Sequence, residues 1–168
     1  MPTLYIMVGA GFAGKSTLAK AMADTLGIVL VSQDAHYFEL KAKSPSWGED
    51  PYERKDFRAM IESRIKENLA TGHSVVFDNT NLTRAARNEL RTLAQDVGAK
   101  AVVVFLDTPE SVLDERQARN KVTKERHDVD QHYLDQAKQQ LERPSPDEQL
   151  YPFTPGMDVK EFITKLPK

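Results

Sequence analysis

Short apolar runs alternate with longer amphipathic segments along this chain. The apolar runs lie at residues 4–8, 28–31, 74–78 and 101–106. Between them, apolar residues recur every three or four positions, which is typical of helices with one buried face. The clearest such face is formed by Phe57, Ile61, Ile65 and Leu69. The pattern predicts an α/β fold with a parallel sheet of four to five strands flanked by helices, the fifth strand being an ambiguous segment at residues 150–153.

Length and composition narrow the class of protein. A chain of 168 residues predicts a single domain. The absence of cysteine excludes a disulfide scaffold, a thiolate zinc site and thiol catalysis. The formal net charge of −2 leaves no overall basic field, so any contact with nucleic acid must use a local patch. The chain shows neither a signal peptide nor a membrane-spanning run, and no obligate protein partner is evident. We therefore expect a cytoplasmic protein, or one of the host cytoplasm if it is phage-encoded.

A glycine-rich motif follows the first apolar run directly and precedes a predicted helix. Residues 9–16 match G-x-x-x-x-G-K-[ST] in full, in the strand-to-helix context that this motif requires. Glycines let backbone amides converge on phosphate oxygens, and the helix N-terminus adds a favourable partial charge. Lys15 can bridge the β- and γ-phosphates, Ser16 can ligate Mg²⁺, and Thr17 can contact the α-phosphate. We predict binding of a nucleoside triphosphate by Gly9, Gly11, Phe12, Ala13, Gly14, Lys15, Ser16 and Thr17.

Two acidic residues end predicted strands, where a parallel sheet forms its ligand crevice. Asp34 can accept the proton of an incoming hydroxyl, and it can equally cap the following helix. Asp78 occupies the position at which a carboxylate holds Mg²⁺, although aspartate and asparagine are also common in turns. After it come Asn79, Thr80 and Asn81, which are candidate contacts for a phosphate acceptor.

A basic run breaks the hydrophobic pattern near residues 116–128. Its cationic side chains are Arg116, Arg119, Lys121, Lys124 and Arg126. We interpret it as a helical lid whose arginines close over a triphosphate and stabilise transition-state charge, the alternative being a solvated helix end. A second basic stripe, at Arg84, Arg87 and Arg91, can contact a polyanion or simply face solvent.

Together, these motifs resemble the polynucleotide 5′-hydroxyl kinase branch of the P-loop kinases over about residues 4–145. The resemblance implies a P-loop NTPase fold with strand order 2-3-1-4, and ATP and Mg²⁺ as cofactors. It also implies Lys15, Asp34, Asp78, Arg119 and Arg126 as catalytic residues, with Arg116 and Arg119 on the nucleotide and Ser16 and Asp78 on the metal. That branch usually carries an arginine three residues after the base aspartate, and here the position is Tyr37. Tyr37, which replaces that arginine, is therefore a candidate for an acceptor contact. Arg87, from the second basic stripe, is another.

The predicted function is an ATP- and Mg²⁺-dependent kinase that phosphorylates a hydroxyl on a nucleic acid, with a polynucleotide 5′ end as the first acceptor. Three alternatives stay open. The acceptor can be a hydroxymethylated pyrimidine base in DNA, or it can be a nucleoside or another small molecule. In the third alternative the protein is a non-catalytic nucleotide switch.

Overall fold

Five parallel strands form one sheet in the order β2-β3-β1-β4-β5. The computed structural model describes residues 1–43, 55–126 and 129–167. The strands are β1 (Thr3–Val8), β2 (Val29–Ser32), β3 (Val75–Asp78), β4 (Lys100–Leu106) and β5 (Leu150–Phe153). The register pairs Leu4 of β1 with Val75 on one side and with Ala101 on the other. The predicted order 2-3-1-4 is confirmed, and the ambiguous segment is a fifth strand beside β4.

Helices connect the strands and cover both faces of the sheet. They are α1 (Lys15–Leu26), α2 (Gln33–Lys43), α3 (Lys55–Ala70), α4 (Arg84–Asp96), α5 (Glu110–Thr123), α6 (Gln131–Gln140) and α7 (Val159–Thr164), with a short 3₁₀ helix at Pro146–Glu148. Thr83 caps α4 by accepting a hydrogen bond from the Ala86 N–H, as its position before the helix predicts. Pro51 after Asp50 predicts that the helix carrying Phe57 begins at Asp50, and both residues lie outside the described residues.

The central strand divides the core into two clusters. Leu4, Ile6 and Val8 point to one face and pack against α3 and α4, whereas Tyr5 and Met7 point to the other and pack against α1 and α7. All six residues of β1 are buried, as expected for the middle of a parallel sheet with helices on both sides. Within the described ranges, no helix is both long and apolar enough to cross a membrane.

The break in the apolar pattern near residue 116 is not a break between helices. Helix α5 continues to Thr123, so residues 116–123 of the predicted helical lid are helical. Arginine, lysine, glutamine and alanine all favour helices, so the segment needs no regular apolar face to stay helical. Lys124 then ends the helix with φ of 50°, and its N–H donates to the Asn120 carbonyl at 2.8 Å. The last two residues of the predicted lid, 127 and 128, lie outside the described residues.

Candidate active site

The loop between β1 and α1 holds the glycine-rich motif. Gly14 is the N-cap of α1 with φ of 100°, a left-handed conformation that favours glycine. Phe12 also has a positive φ, of 64°, which is unusual for a bulky side chain. Strained backbone of this kind concentrates at ligand sites. Gly14 has no side chain to cap α1, so the first amides of the helix are available to an anion.

Neighbouring elements fix this loop from outside. The Gly9 N–H donates to the Thr80 carbonyl at 3.2 Å, which ties the loop to the residues after β3. Leu134 of α6 lies against Gly11, where an added Cβ would come within 2.4 Å of its Cδ2 atom. A side chain at position 11 would therefore require the Leu134 side chain to move.

Lys15 is buried at the start of α1, with 8% of its surface exposed. Its Nζ donates to the Ala10 carbonyl at 2.7 Å, within the loop. Burial lowers the pKa of this ammonium to about 8. The charge of Arg126 also lowers this pKa, whereas the carboxylates of Asp78 and Asp34 raise it. Lys15, both carboxylates and Arg126 therefore interact within one crevice.

Asp78 ends β3 and is also buried, with 7% of its surface exposed. Burial raises the pKa of its carboxyl, opposed by a hydrogen bond with the Ser16 side chain and by the charge of Lys15. The structure thus brings together both predicted magnesium ligands. In the part of the chain that the structure describes, no group of three or more His, Cys, Asp or Glu side chains could hold a metal ion. One hydroxyl and one carboxylate fit Mg²⁺, which usually completes its shell with phosphate and water oxygens.

Asp34 is exposed in the first turn of α2, and its charge acts on both Lys15 and Asp78. The alternative role for Asp34, as the helix cap, is wrong. Ser32 precedes the helix, and its Oγ accepts from the Ala35 N–H at 3.4 Å, which is the geometry of a cap. The Asp34 carboxylate is thus at the crevice without serving as the N-cap.

The two asparagines after β3 shape the crevice wall. Asn79 donates from Nδ2 to Gln33 Oε1 at 2.6 Å and accepts from the Thr80 N–H at 2.8 Å. Asn81 is buried with φ of 45°, and its Nδ2 donates to the Met7 carbonyl at 2.8 Å. These side chains, predicted as acceptor contacts, bind neighbouring strands and loops.

Arg87 is not an acceptor contact, and that prediction is wrong. Its side chain is fully buried and forms two hydrogen bonds with Glu148, from Nε to Oε2 at 2.6 Å and from Nη2 to Oε1 at 3.1 Å. Its Nη1 donates to the carbonyls of Asn81, at 3.2 Å, and Leu82, at 2.9 Å. Arg87 therefore supports the loop after β3 from within the protein.

Tyr37 also lies away from its predicted place. Its ring is buried in the core cluster that includes Phe57, and it makes an edge contact with Phe38. The Lys41 ammonium lies 5.5 Å from the ring centre and 3.4 Å from the Tyr37 hydroxyl. The core position does not fit a residue that touches an acceptor.

A cleft of about 390 Å³ opens beside the phosphate loop. One part of its wall is cationic, with Arg119 and Arg126, and another is apolar, with Phe153 and Val159. Thr17 lines it from α1. Cationic and apolar lining residues next to a phosphate loop match the phosphates and the base of a nucleotide.

Arg116 joins α5 to the phosphate loop. Its Nη1 donates to the carbonyls of Phe12 and Ala13, both at 3.0 Å. Arg116 and Arg119 both line the cleft, as their spacing of three residues on a helix predicts.

Sequence reasoning missed Asn120. It is buried, lines the same cleft, and hydrogen bonds through its side-chain amide to the backbone of Arg126. The signal was present in the spacing. Asn120 follows the buried Leu113 by seven residues, so a polar side chain lies on the inner face of α5.

Comparison with known proteins shows which family this chain belongs to. The AAA_33 family, described as an AAA domain, matches residues 4–144. A shikimate kinase from Actinobacillus succinogenes is 30% identical over 122 residues, which are 68% of this chain and 63% of the relative. The chain thus spans less than two thirds of that relative's length.

Solved structures extend the similarity to nearly the whole chain. A gluconokinase from Sinorhizobium meliloti is 26% identical and has a TM-score of 0.67, covering 97% of this chain and 88% of that one. An APS kinase from Mycobacterium tuberculosis, solved with AMPPNP and APS, has the same fold at 22% identity and a TM-score of 0.67, covering 98% of this chain and 94% of that one. The fold is that of the P-loop kinases, and the chain belongs to the AAA_33 family of AAA domains.

Proposed function

We propose that this protein is an ATP- and Mg²⁺-dependent kinase whose acceptor is a hydroxyl group of a small metabolite. The observation that carries the proposal is the crevice at the phosphate loop, where the charges of Lys15, Asp34 and Asp78 act on one another. A phosphate-binding cation, a metal-side carboxylate and a second carboxylate for the acceptor are the parts that phosphoryl transfer requires.

The nucleotide would lie in the cleft, with its base towards Phe153 and Val159 and its phosphates on the loop. Lys15 would contact the β- and γ-phosphates, and the amides at the start of α1 would bind phosphate oxygens. The Ser16 hydroxyl and the Asp78 carboxylate would hold Mg²⁺, which when bound neutralises charge on those phosphates. Arg119 and Arg126 would add positive charge from the other wall.

In the transfer step, the acceptor oxygen attacks the γ-phosphorus and the bond to the β–γ bridging oxygen breaks, so that ADP leaves. Asp34 would accept the proton of the attacking hydroxyl as the new P–O bond forms. Asp34 is exposed in the first turn of α2, and its charge acts on Lys15, the residue that would contact the γ-phosphate.

Two observations support a small acceptor. The named relatives are a shikimate kinase, a gluconokinase and an APS kinase. In addition, the arginine stripe on α4 serves the protein itself: Arg87 is buried against Glu148, Arg84 pairs with Asp147, and Arg91 donates to the Asp147 carbonyl. Because these cations hold the 3₁₀ segment, they do not form a surface for a polyanion.

The acceptor can be identified by transfer of label from γ-labelled ATP in the presence of Mg²⁺. The panel should include shikimate, gluconate, APS and nucleosides, together with 5′-hydroxyl DNA and RNA oligonucleotides and DNA containing hydroxymethyluracil. We expect label in a small molecule and none in the oligonucleotides. Label confined to oligonucleotides would restore the nucleic-acid acceptor, and nucleotide binding without transfer would indicate a switch. A Lys15→Ala variant controls for contaminating kinases.

Nucleotide affinity should fall at alkaline pH. The pKa of Lys15, lowered to about 8, means that the free protein loses this ammonium above that pH. A bound phosphate favours the protonated form of Lys15. At pH 9 only about one free molecule in ten carries this ammonium, so the affinity should be about tenfold weaker than at pH 7. Titration with a fluorescent ATP analogue measures this. A Lys15→Arg variant stays charged and should show no such slope. An equal slope in both proteins would mean that another group titrates.

A further inference from the structure

Arg126 lies in residues 124–126, the short stretch that follows α5. Arg126 lines the nucleotide cleft with Gly14 and Thr17 of the phosphate-loop region. Its guanidinium charge also acts on both Lys15 and Asp78. Yet Arg126 lies beyond the end of a helix, on a short exposed stretch of chain. Such a stretch normally samples many backbone conformations, and ordering it costs conformational entropy.

One side chain fixes this stretch. Asn120 accepts at Oδ1 from the Arg126 N–H, at 2.9 Å, and donates from Nδ2 to the Arg126 carbonyl, at 3.2 Å. Both backbone polar groups of Arg126 are thus bound by a single amide. The Asn120 carbonyl also accepts from the Lys124 N–H, which sets the turn at the end of α5.

The chemistry of this contact suits an amide. The Asn120 side chain carries an acceptor and a donor on one carbon, so it can bind the N–H and the carbonyl of the same residue. Aspartate would keep the acceptor and place a negative charge against the Arg126 carbonyl. Asn120 is also buried in a strongly charged helix, where an unbonded amide would be costly.

We propose that Asn120 is a positioning residue that holds the backbone of Arg126 so that its guanidinium faces the transferred phosphoryl group. This inference rests on the proposed kinase function. Electrostatic stabilisation of a transition state is strongest when the charge is in place before the reaction begins. Fixing the Arg126 backbone leaves only its side chain to be ordered on binding, which favours this preorganisation.

The probe that separates positioning from binding is ADP with aluminium fluoride, because it mimics the transferring phosphoryl group and needs no acceptor. We expect wild-type protein to bind ADP with aluminium fluoride much more tightly than ADP alone. Arg126→Ala should lose about 10²-fold of that preference, and Asn120→Ala should lose about tenfold of it, where the preference is the ratio of the two affinities measured for each variant. Asn120→Asp should show the same loss, which guards against a folding defect peculiar to alanine.

The double variant decides between positioning and general support of the fold. If Asn120 acts through Arg126, Asn120→Ala should cost nothing further in an Arg126→Ala background. Gln117→Ala is the matched control, since Gln117 is an amide on the same helix that bonds to Gln131, and it should keep the wild-type preference.

Three results would overturn the inference. An additive loss in the double variant would give Asn120 a role independent of Arg126. A wild-type preference retained by both Asn120 variants would remove any role for the contact. If wild-type protein binds ADP with aluminium fluoride no better than ADP and transfers no label, the kinase function fails and this inference fails with it.

Discussion

Asp34→Asn should lower kcat for phosphoryl transfer by about 10²–10⁴-fold while nucleotide affinity stays nearly unchanged. The substitution keeps the size of the side chain and removes its ability to accept a proton. It also removes a negative charge that acts on Lys15 and Asp78, so any change in ATP affinity should be a small gain. Steady-state kinetics with the acceptor found by label transfer, together with direct nucleotide titration, measure both quantities.

Glu39→Gln is the matched control for this variant. Glu39 is an exposed carboxylate on the same helix, paired with Lys43 at 2.6 Å. An exposed pair within one helix contributes little to stability, and its loss should leave kcat unchanged. If Asp34→Asn retains kcat within about threefold, or if both variants lose activity equally, Asp34 is not the base.

The phosphate loop and the central strands could be predicted because their signals are local. A strand, a glycine motif and a helix follow one another within residues 4–26, and burial on both faces of a parallel sheet produces continuous apolar runs. The order of the strands is not local, and only the resemblance to a kinase family implied it.

The fifth strand was ambiguous for a physical reason. Pro152 lies inside it, and proline cannot donate to a neighbouring strand. The structure accommodates Pro152 because β5 is at the edge of the sheet and pairs only with β4. Edge position is a property of the assembled sheet, so the sequence around residue 152 does not reveal it.

The errors at Arg87 and Tyr37 have the same origin. Arginines at positions 84, 87 and 91 have the spacing of a solvated helix face. The partner that buries Arg87 is Glu148, 61 residues later, on a segment whose position depends on the completed sheet. Tyr37 likewise lies in the core cluster that includes Phe57 of α3, and no local pattern links the two residues.

Replacing Arg87 with Met should destabilise the protein by about 3–5 kcal/mol. The variant leaves Glu148 fully buried without its cation, and it removes a donor from the carbonyls of Asn81 and Leu82. Because domains of this kind are stable by about 5–15 kcal/mol, the loss is a large share of the total. Urea denaturation measures it, and Arg84→Ala is the control. The Arg84–Asp147 pair is exposed, so its loss should change the stability little.

The destabilisation of Arg87→Met should also depend on pH, which separates a lost charge pair from lost packing. In the wild type, burial raises the pKa of Glu148, but the Arg87 guanidinium and the Ser145 N–H outweigh it, and the pKa lies below its ordinary value of 4.5. Glu148 therefore stabilises the wild type above pH 4.5, and this contribution is lost as the pH falls. Without Arg87, the Ser145 N–H still opposes burial but the guanidinium no longer does, so the pKa of Glu148 rises and its stabilising contribution above pH 4.5 is reduced or lost. The stability difference between the two proteins should thus be larger at pH 7 than at pH 4.

A second change, Glu148→Met, removes the unpaired charge and should recover part of the loss, although the two carbonyls still lack their donor. A difference that is constant with pH, or a double variant less stable than Arg87→Met, would show that Arg87 acts mainly through packing.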